Sequence, residues 1–301
     1  MNISNVTIVG GTHGNELTGV YLVKYLKNNP TLLEKYQLDI QFLLANELAI
    51  EKNVRYVDQD LNRQFSNESL SLDLNYRESQ RARDIHRLIG TESVNQTDLI
   101  IDLHTTTTNM GLTLVITKDS EFHRRLVAYI QSTLPQVNIF FEPREQGSDS
   151  FLMSVAKHSG ILIEVGPIAQ GTLKQKVYEQ TKEAVFACLD FIQNYNQKIK
   201  MDLPQSIGVY EFIKKVPFNV DIQGNITGMI HKDFEQSDYK QLKNGDPIFS
   251  LLSGETIKFE RDEEQEGTLT ACFINEAAYY DKKFAYSLMK KIQLEIPEAK
   301  S

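Results

Sequence analysis

Residues 6–16, VTIVGGTHGNE, join a short β-branched run to a glycine turn that carries a histidine and a glutamate. The run at residues 6–9 has the character of a strand and ends at Gly10-Gly11. Residues 16–27 then carry apolar side chains at the spacing of an amphipathic helix, at Leu17, Val20, Leu22, Val23 and Leu26. The stretch therefore predicts a strand, a turn and a helix in succession, which is the repeating unit of an α/β fold.

The same alternation continues to about residue 200. Apolar runs predict further strands at residues 38–44, 99–103, 112–116 and 161–165. Helical periodicity predicts helices at residues 77–89, 122–134 and 172–196. Strands separated by helices indicate a mostly parallel sheet flanked by helices.

The sequence pattern changes after residue 203. Short β-prone runs at residues 206–213 and 247–252 lie between turn signals such as Asn244-Gly245-Asp246-Pro247 and Ser253-Gly254. We predict an α/β domain at residues 1–203 and a smaller all-β domain at residues 204–301.

Composition excludes several classes of function. The 301 residues include 32 Lys+Arg and 40 Asp+Glu, which gives a net charge of −8. This excess of acid argues against binding to nucleic acid or to an anionic membrane, since both require a basic surface. The N-terminus lacks a basic leader, and no run approaches the ~18 apolar residues of a membrane span. We therefore expect a soluble, cytoplasmic protein, with Cys188 and Cys272 as buried free thiols.

The turn at residues 10–16 carries the first candidate chemistry. Glycines before a helix could hold a phosphate, but the spacing matches neither the dinucleotide-binding motif nor the P-loop, and no lysine follows. His13 and Glu16, three residues apart, could instead direct an imidazole and a carboxylate at one metal ion. The pair alone does not decide between these interpretations.

His104 strengthens the metal interpretation because it follows the predicted strand at residues 99–103. Ligands of parallel α/β sheets bind outside the carboxyl ends of strands, so His13, Glu16 and His104 can converge. Two imidazoles and one carboxylate leave a fourth position open for water, which is typical of catalytic zinc. Alternatively, His13 is a turn residue and His104 a histidine satisfied at the rim of the sheet.

Glu164 lies near the end of another apolar run, GILIEV at residues 160–165. An acid buried without a partner is costly, so it should have a partner or a function. Beside a catalytic metal it could act as a general base. A salt bridge at the end of a strand is the alternative.

Residues 55–65, RYVDQDLNRQF, form a polar segment with two arginines. One guanidinium could polarise a scissile carbonyl while the other binds a substrate carboxylate. Asp60 could orient either of them. Composition does not distinguish this arrangement from a solvated surface turn.

Together these residues resemble a known family. The chain is similar to the aspartoacylases, the branch of the zinc carboxypeptidase-like hydrolases that deacylates N-acetylaspartate. Five motifs occur in the family's order between residues 6 and 284: GGTHGNELTG at 10–19, DLNR at 60–63, DLH at 102–104, IEVGP at 163–167 and NEAAYY at 275–280.

The resemblance implies a fold and a cofactor. The fold would be α/β, with a zinc carboxypeptidase-like, mostly parallel or mixed sheet flanked by helices. A β-rich C-terminal domain would partly cover the active-site entrance. One Zn²⁺ per chain would be held by His13, Glu16 and His104.

The resemblance also implies roles for residues around the metal. Glu164 would be the general base and proton donor, and would contact substrate. Arg55 would polarise the scissile amide carbonyl and stabilise the oxyanion. Asn62, Arg63 and Tyr279 would contact the substrate.

The implied reaction converts N-acetyl-L-aspartate and water to L-aspartate and acetate, and the implied partner is a small anionic N-acyl amino acid. The resemblance also suggests a homodimer. The alternatives are an aminoacylase for N-acetyl aromatic or S-cysteine-conjugate amino acids, a succinylglutamate desuccinylase and, as a different class, a non-catalytic protein that binds zinc or a small anion.

The chain departs from the family at two places. Animal aspartoacylases have a Tyr and an Arg just before a Ser-x-Ala-Lys stretch, whereas this chain has Asp149 and Met153 before residues 154–157, SVAK. Arg144 could replace the missing guanidinium if its loop folds inward. Thr105 also stands where the family more often has Asn.

Overall fold

The computed structural model describes residues 1–144, 147–262 and 266–298. Each predicted strand is present, together with others that the sequence patterns did not predict. The strands of the described chain are β1 (Asn5–Gly10), β2 (Asp39–Leu44), β3 (Leu99–Thr105), β4 (Leu112–Ile116), β5 (Asn138–Phe141), β6 (Gly160–Val165), β7 (Ser206–Pro217), β8 (Gly228–Ile230), β9 (Pro247–Leu251), β10 (Thr256–Lys258), β11 (Thr268–Cys272) and β12 (Phe284–Glu295).

The predicted helices are also present. The helices of the described chain are α1 (Leu17–Asn28), α2 (Glu47–Lys52), α3 (Asn67–Ser71), α4 (Arg77–Ile89), α5 (Glu121–Thr133) and α6 (Gln175–Asn196). Among the described residues, none of these helices combines the length and the apolar character needed to cross a membrane.

The central sheet has nine strands in the order β11-β12-β7-β5-β4-β6-β3-β1-β2. Strands β2, β1, β3 and β6 are parallel neighbours, and β4 runs antiparallel to β6. The predicted mixed, largely parallel α/β sheet is therefore confirmed.

Two cores cover the faces of this sheet because successive strand residues point to opposite sides. In β3, Ile101 and Leu103 belong to the core that includes residues of α1, α5 and α6. Ile100 faces the other way and packs in a second core with Ile85 of α4. Both cysteines are buried and free, as expected.

Three strands from beyond residue 203 extend the same sheet. Strand β7 pairs with β5 in parallel through Phe140↔Tyr210 and Phe141↔Glu211, and it pairs antiparallel with β12 over its length. Strands β8, β9 and β10 form a separate three-stranded sheet beside a third core. The β-rich character of this segment is confirmed, while the division at residue 203/204 stays a prediction.

Candidate active site

Three neighbouring strands bring the predicted site residues to one rim of the sheet. Gly10 at the end of β1 pairs with Leu103 of β3, and His104 pairs with Glu164 of β6. The carboxyl ends of these parallel strands therefore meet at the same edge, where ligands of α/β sheets bind.

The glycine turn after β1 allows α1 to start close to the strand. A Cβ atom at Gly10 would lie 2.4 Å from the carbonyl oxygen of Gly19, and Gly11 has a φ of 71°. Glycine tolerates both the close approach and the left-handed backbone. The turn consequently brings His13 and Glu16 over the end of the sheet.

His13, Glu16 and His104 form a compact group of possible metal ligands. His13 Nδ1 lies 2.7 Å from Glu16 Oε1, and His104 Nδ1 lies 2.9 Å from Glu16 Oε2. The three residues are buried, and their ligand atoms lie within 4.8 Å of one another. The trio predicted from the sequence is thus brought together, with nitrogen and carboxylate donors that suit a divalent transition metal.

The Nε2 atom of each histidine, on the far side of the ring from Glu16, lies close to an aspartate carboxylate. His13 Nε2 lies 3.0 Å from Asp60 Oδ1, and His104 Nε2 lies 2.9 Å from Asp102 Oδ2. Such partners fix the orientation of metal-binding histidines. Both rings consequently direct Nδ1 towards Glu16, which is the arrangement expected if a metal fits there.

The sequence carries a signal for this partner of His104, although Asp102 was not among the predicted site residues. Asp102 and His104 are two apart in β3 and share one face of the strand. Thr12 Oγ1 donates to Asp102 Oδ1 at 2.7 Å, which holds the carboxylate in place.

Arg55 lies beside the metal-ligand trio. Its Nη1 donates to Glu16 Oε1 at 3.1 Å and its Nη2 lies 3.4 Å from Asp60 Oδ2. Burial opposes its charge, but the carboxylates of Asp60 and Glu16 outweigh this effect and hold the pKa of Arg55 above its ordinary value. A permanent cation therefore lies beside the three possible metal ligands.

Glu78 of α4 fixes the loop that carries Arg55. Its carboxylate accepts hydrogen bonds from the backbone N–H groups of Val57, Asp58 and Gln59, at 2.6 to 3.1 Å. This contact was not predictable from the sequence, because an acid on a helix gives no signal for a loop about 20 residues away.

Asn62 and Arg63 also line the cleft. Asn62 Oδ1 accepts from the backbone N–H of Leu152 at 2.8 Å, and Arg63 Nη1 donates to the carbonyl of Asn62 at 2.7 Å. Asn62 thus ties its loop to the segment at residues 152–155, while the guanidinium of Arg63 lies 4.7 Å from the ring centre of Phe151.

Glu164 is a buried acid to which no described residue donates a hydrogen bond. It is 8% exposed, and its carboxylate makes no hydrogen bond or ion pair with any residue that the structure describes. Burial raises its pKa well above the ordinary value, and the charge of Glu16 adds to this rise. A carboxyl group in this environment is suited to holding a proton and releasing it again.

The cleft draws residues from both halves of the chain. Besides the residues already described, its lining includes Thr105, Thr106, Val115, Phe140, Glu142, Arg144, Phe151, Leu162, Phe212, Lys215, Phe273, Glu276, Tyr279, Phe284 and Ser287. Tyr279 lies against Arg55, with the guanidinium carbon 5.8 Å from the ring centre. Arg144 lines the cleft, whereas Met153 is buried in the second core.

Glu276 also lines the cleft, although no role was predicted for this residue of the motif at 275–280. Its carboxylate accepts from Thr106 Oγ1, from Thr107 N at 2.8 Å and from Ala278 N at 3.0 Å. It therefore joins the loop after His104 to the turn that carries Tyr279. At Thr105, where the family more often has Asn, the backbone N–H donates to Glu16 Oε2 at 3.1 Å, and this contact does not depend on the side chain.

Comparisons with known proteins cover nearly the whole chain. Residues 2–192 match the succinylglutamate desuccinylase/aspartoacylase catalytic domain, and residues 205–291 match the AstE/AspA barrel-sandwich hybrid domain. A probable aspartoacylase of Trichodesmium erythraeum is 38% identical, over 98% of this chain and 99% of the relative. An N-acyl-aromatic-L-amino acid amidohydrolase (carboxylate-forming) of Xenopus tropicalis is 35% identical, over 99% of this chain and 96% of the relative. The crystal structure of murine aminoacylase 3 is similar with a TM-score of 0.89 and 34% identity, covering 99% of this chain and 98% of that chain.

Proposed function

We propose that this chain, which belongs to the succinylglutamate desuccinylase/aspartoacylase family, is a zinc-dependent amidohydrolase. Its proposed activity is the deacylation of N-acyl amino acids. The proposed substrate is N-acetyl-L-aspartate, and the products are L-aspartate and acetate. The observation that carries the proposal is the joint presence of the metal-ligand trio, Glu164 and Arg55 in one cleft.

His13, Glu16 and His104 would hold the metal. Two imidazoles and one carboxylate are a donor set of catalytic zinc sites, and the aspartates behind both rings support this assignment. When bound, zinc supplies a Lewis acid that lowers the pKa of a water from 15.7 towards ~7 and polarises a carbonyl.

Glu164 would move the proton. It takes a proton from the attacking water and then delivers it to the nitrogen of the leaving amine, so that the amide C–N bond breaks without release of an unprotonated amide anion. Its carboxylate makes no hydrogen bond with the described residues, which supports this role because the group stays available to exchange a proton with water and substrate.

Arg55 would stabilise the negative charge that develops on the acyl oxygen. Its guanidinium is held by Glu16 and Asp60 before any substrate arrives, so little reorganisation accompanies the reaction. Loss of one such donor typically costs roughly 10²–10³ in rate. A non-catalytic protein that only binds zinc requires neither Arg55 nor Glu164.

Cations in the cleft support an anionic substrate. Arg63, Arg144 and Lys215 line the same cleft as the metal-ligand trio, and a guanidinium is the preferred bidentate partner of a carboxylate. Asn62 and Tyr279 would complete the contacts. The net charge of −8 does not oppose this, since distant surface acids are screened within ~8–10 Å.

One observation favours a second candidate, an aminoacylase for aromatic N-acyl amino acids. The lining is rich in aromatic rings that could pack against an aromatic substrate: Phe140, Phe151, Phe212, Phe273 and Phe284. The relative from Xenopus tropicalis carries a name of this kind.

A substrate panel separates these candidates. Metal-loaded protein is assayed with N-acetyl-L-aspartate, N-acetyl-L-tyrosine, an N-acetyl cysteine conjugate and succinylglutamate, and the released amine is measured. We expect the highest kcat/KM for N-acetyl-L-aspartate. A higher value for N-acetyl-L-tyrosine would establish the second candidate, and no turnover of any of the four would contradict the deacylase proposal.

A further inference from the structure

Two arginines from separate loops meet at one aromatic ring in the cleft. The guanidinium carbon of Arg144 lies 4.2 Å from the ring centre of Phe151, and that of Arg63 lies 4.7 Å from the same centre. Stacking on a ring fixes the plane of a guanidinium and leaves its N–H groups available at the edge. The ring therefore presents two oriented cations to the cleft.

Arg144 makes hydrogen bonds through its backbone and its side chain, but one of its N–H donors has no acceptor among the described residues. Its backbone N–H donates to the carbonyl of Thr117 at 2.9 Å, and its Nη2 donates to Glu142 Oε1 at 2.6 Å. Its Nε is buried, and none of the described residues accepts a hydrogen bond from it. A buried donor without an acceptor costs about 1–3 kcal/mol, so this N–H indicates an acceptor that arrives with a ligand.

A third cation strengthens the positive potential at this end of the cleft. Burial lowers the pKa of Lys215, and the charges of Arg63 and Arg144 lower it further, although the charge of Glu142 opposes them. The ammonium group of Lys215 therefore lies within the field of both guanidinium groups. An anionic ligand would relieve the repulsion among the three cations.

Asp149 holds the backbone at Phe151, the residue whose ring both arginines contact. Its Oδ1 accepts from the backbone N–H of Phe151 at 2.9 Å, which fixes the start of the turn at residues 152–155. Asp149 thus supports the position of the aromatic platform, and its neighbour in the motif, Met153, is buried in the core.

We propose that Arg144 binds the side-chain carboxylate of the substrate, with Phe151 fixing the plane of its guanidinium and Glu142 fixing its rotation. The proposal rests on the deacylase function proposed above and deepens it. It makes Arg144 the residue that selects acidic N-acyl amino acids over neutral ones of the same shape.

The test compares two substrates that differ only at the side-chain terminus. N-acetyl-L-asparagine matches N-acetyl-L-aspartate in shape but lacks the negative charge, so the ratio of their kcat/KM values isolates recognition of the carboxylate. The ratio is measured for the wild type, Arg144→Gln, Arg144→Lys and the control Arg87→Gln, whose arginine side chain is 72% exposed on α4.

We expect Arg144→Gln to lower the ratio by about 10- to 100-fold, because a hydrogen bond to a charged group contributes about 1.5–3 kcal/mol. Arg144→Lys should give an intermediate ratio, since it keeps the charge without the planar fork. Arg87→Gln should keep the wild-type ratio. Metal content and circular dichroism of each variant show whether the site and the fold are retained.

Failure of this proposal is distinguishable from failure of the function. An unchanged ratio in folded Arg144→Gln overturns the role of Arg144, and so does a wild type that deacylates N-acetyl-L-asparagine as well as N-acetyl-L-aspartate. In both cases the deacylase function stands. A metal-loaded wild type that hydrolyses no N-acyl amino acid overturns the function itself, and with it this proposal.

Discussion

The Nδ1 atoms of His13 and His104 lie 3.1 Å apart, although the residues are 91 positions apart in sequence. Two nitrogens bound to one zinc at ~2.0–2.1 Å in tetrahedral geometry would stand roughly 3.3–3.4 Å apart. An N–H···N hydrogen bond between two neutral rings also has this length, so the case for a metal rests on this spacing together with the carboxylate of Glu16 and the aspartates beside both rings. Together these contacts support a metal at this point.

Asp102 should control how tightly the metal is held. In Asp102→Asn the partner of His104 Nε2 loses its charge, and we expect the zinc affinity to fall by about 10- to 100-fold. Competition with a chromophoric chelator measures this. Asp39→Asn, which removes an exposed strand carboxylate, is the control. Equal affinities for both variants would contradict the role of Asp102.

Glu164→Gln should separate metal binding from turnover. The amide cannot accept and return a proton, so we expect kcat to fall by about 10²–10⁴ while zinc content stays at the wild-type level. Initial rates and metal analysis on the same preparation test this. Glu183→Gln, on the exposed side of α6, should keep full activity. Near-normal turnover in Glu164→Gln would remove Glu164 from the mechanism.

Glu276→Gln should weaken substrate binding and lower stability. An amide replaces one carboxylate oxygen by an NH₂ group, so a donor of Thr106, Thr107 or Ala278 loses its acceptor. We expect a loss of about 1–3 kcal/mol in unfolding free energy. A raised KM should accompany it, because the turn of Tyr279 loosens. Wild-type KM with wild-type stability would refute the contact, and Glu235→Gln is the exposed control.

Asp238 should make stability depend on pH. Burial raises its pKa to about 6, and the charge of Glu276 adds to this, although backbone N–H groups of Ile274 and Asn109 oppose it. The folded protein therefore keeps this proton to a higher pH than the unfolded chain. Between about pH 4 and pH 6 the unfolded state loses the proton first, so stability falls as pH rises and stays lower above that window.

Urea unfolding of the wild type and Asp238→Asn measures this contribution. Other carboxylates titrate in both proteins, so the difference in unfolding free energy isolates Asp238. We expect the wild type to lose up to about 3 kcal/mol relative to Asp238→Asn between pH 4 and pH 6.5, with a constant difference above pH 7. A difference that does not change with pH would contradict the raised pKa.

The residues at strand ends were predictable because the rule that governs them is local. A strand followed by a glycine turn and a helix places His13 and Glu16, and an apolar run followed by a polar residue places His104. Adjacent parallel strands then bring these residues together. The motifs reinforced this prediction, since they implied the same ligands.

The partners of these residues were harder to predict because they depend on how separate segments pack. Glu78 and Glu276 accept hydrogen bonds from loops that are distant in sequence and come close to them only in the folded chain. The extension of the sheet beyond residue 203 rests on two parallel residue pairs between β5 and β7. The hydrophobic pattern of β5 or of β7 does not predict that these two strands pair, since the pairing depends on the geometry of the folded chain.

The most direct test of the proposed zinc site is the metal dependence of the reaction in the wild type and in His104→Ala. Zinc is removed with a chelator, hydrolysis of N-acetyl-L-aspartate is measured, and zinc is returned in known amounts. We predict one zinc per chain, loss of activity on removal, recovery with one equivalent, and neither zinc nor turnover in His104→Ala. Undiminished hydrolysis by the metal-free wild type, or by His104→Ala, would contradict a zinc-dependent reaction at this site.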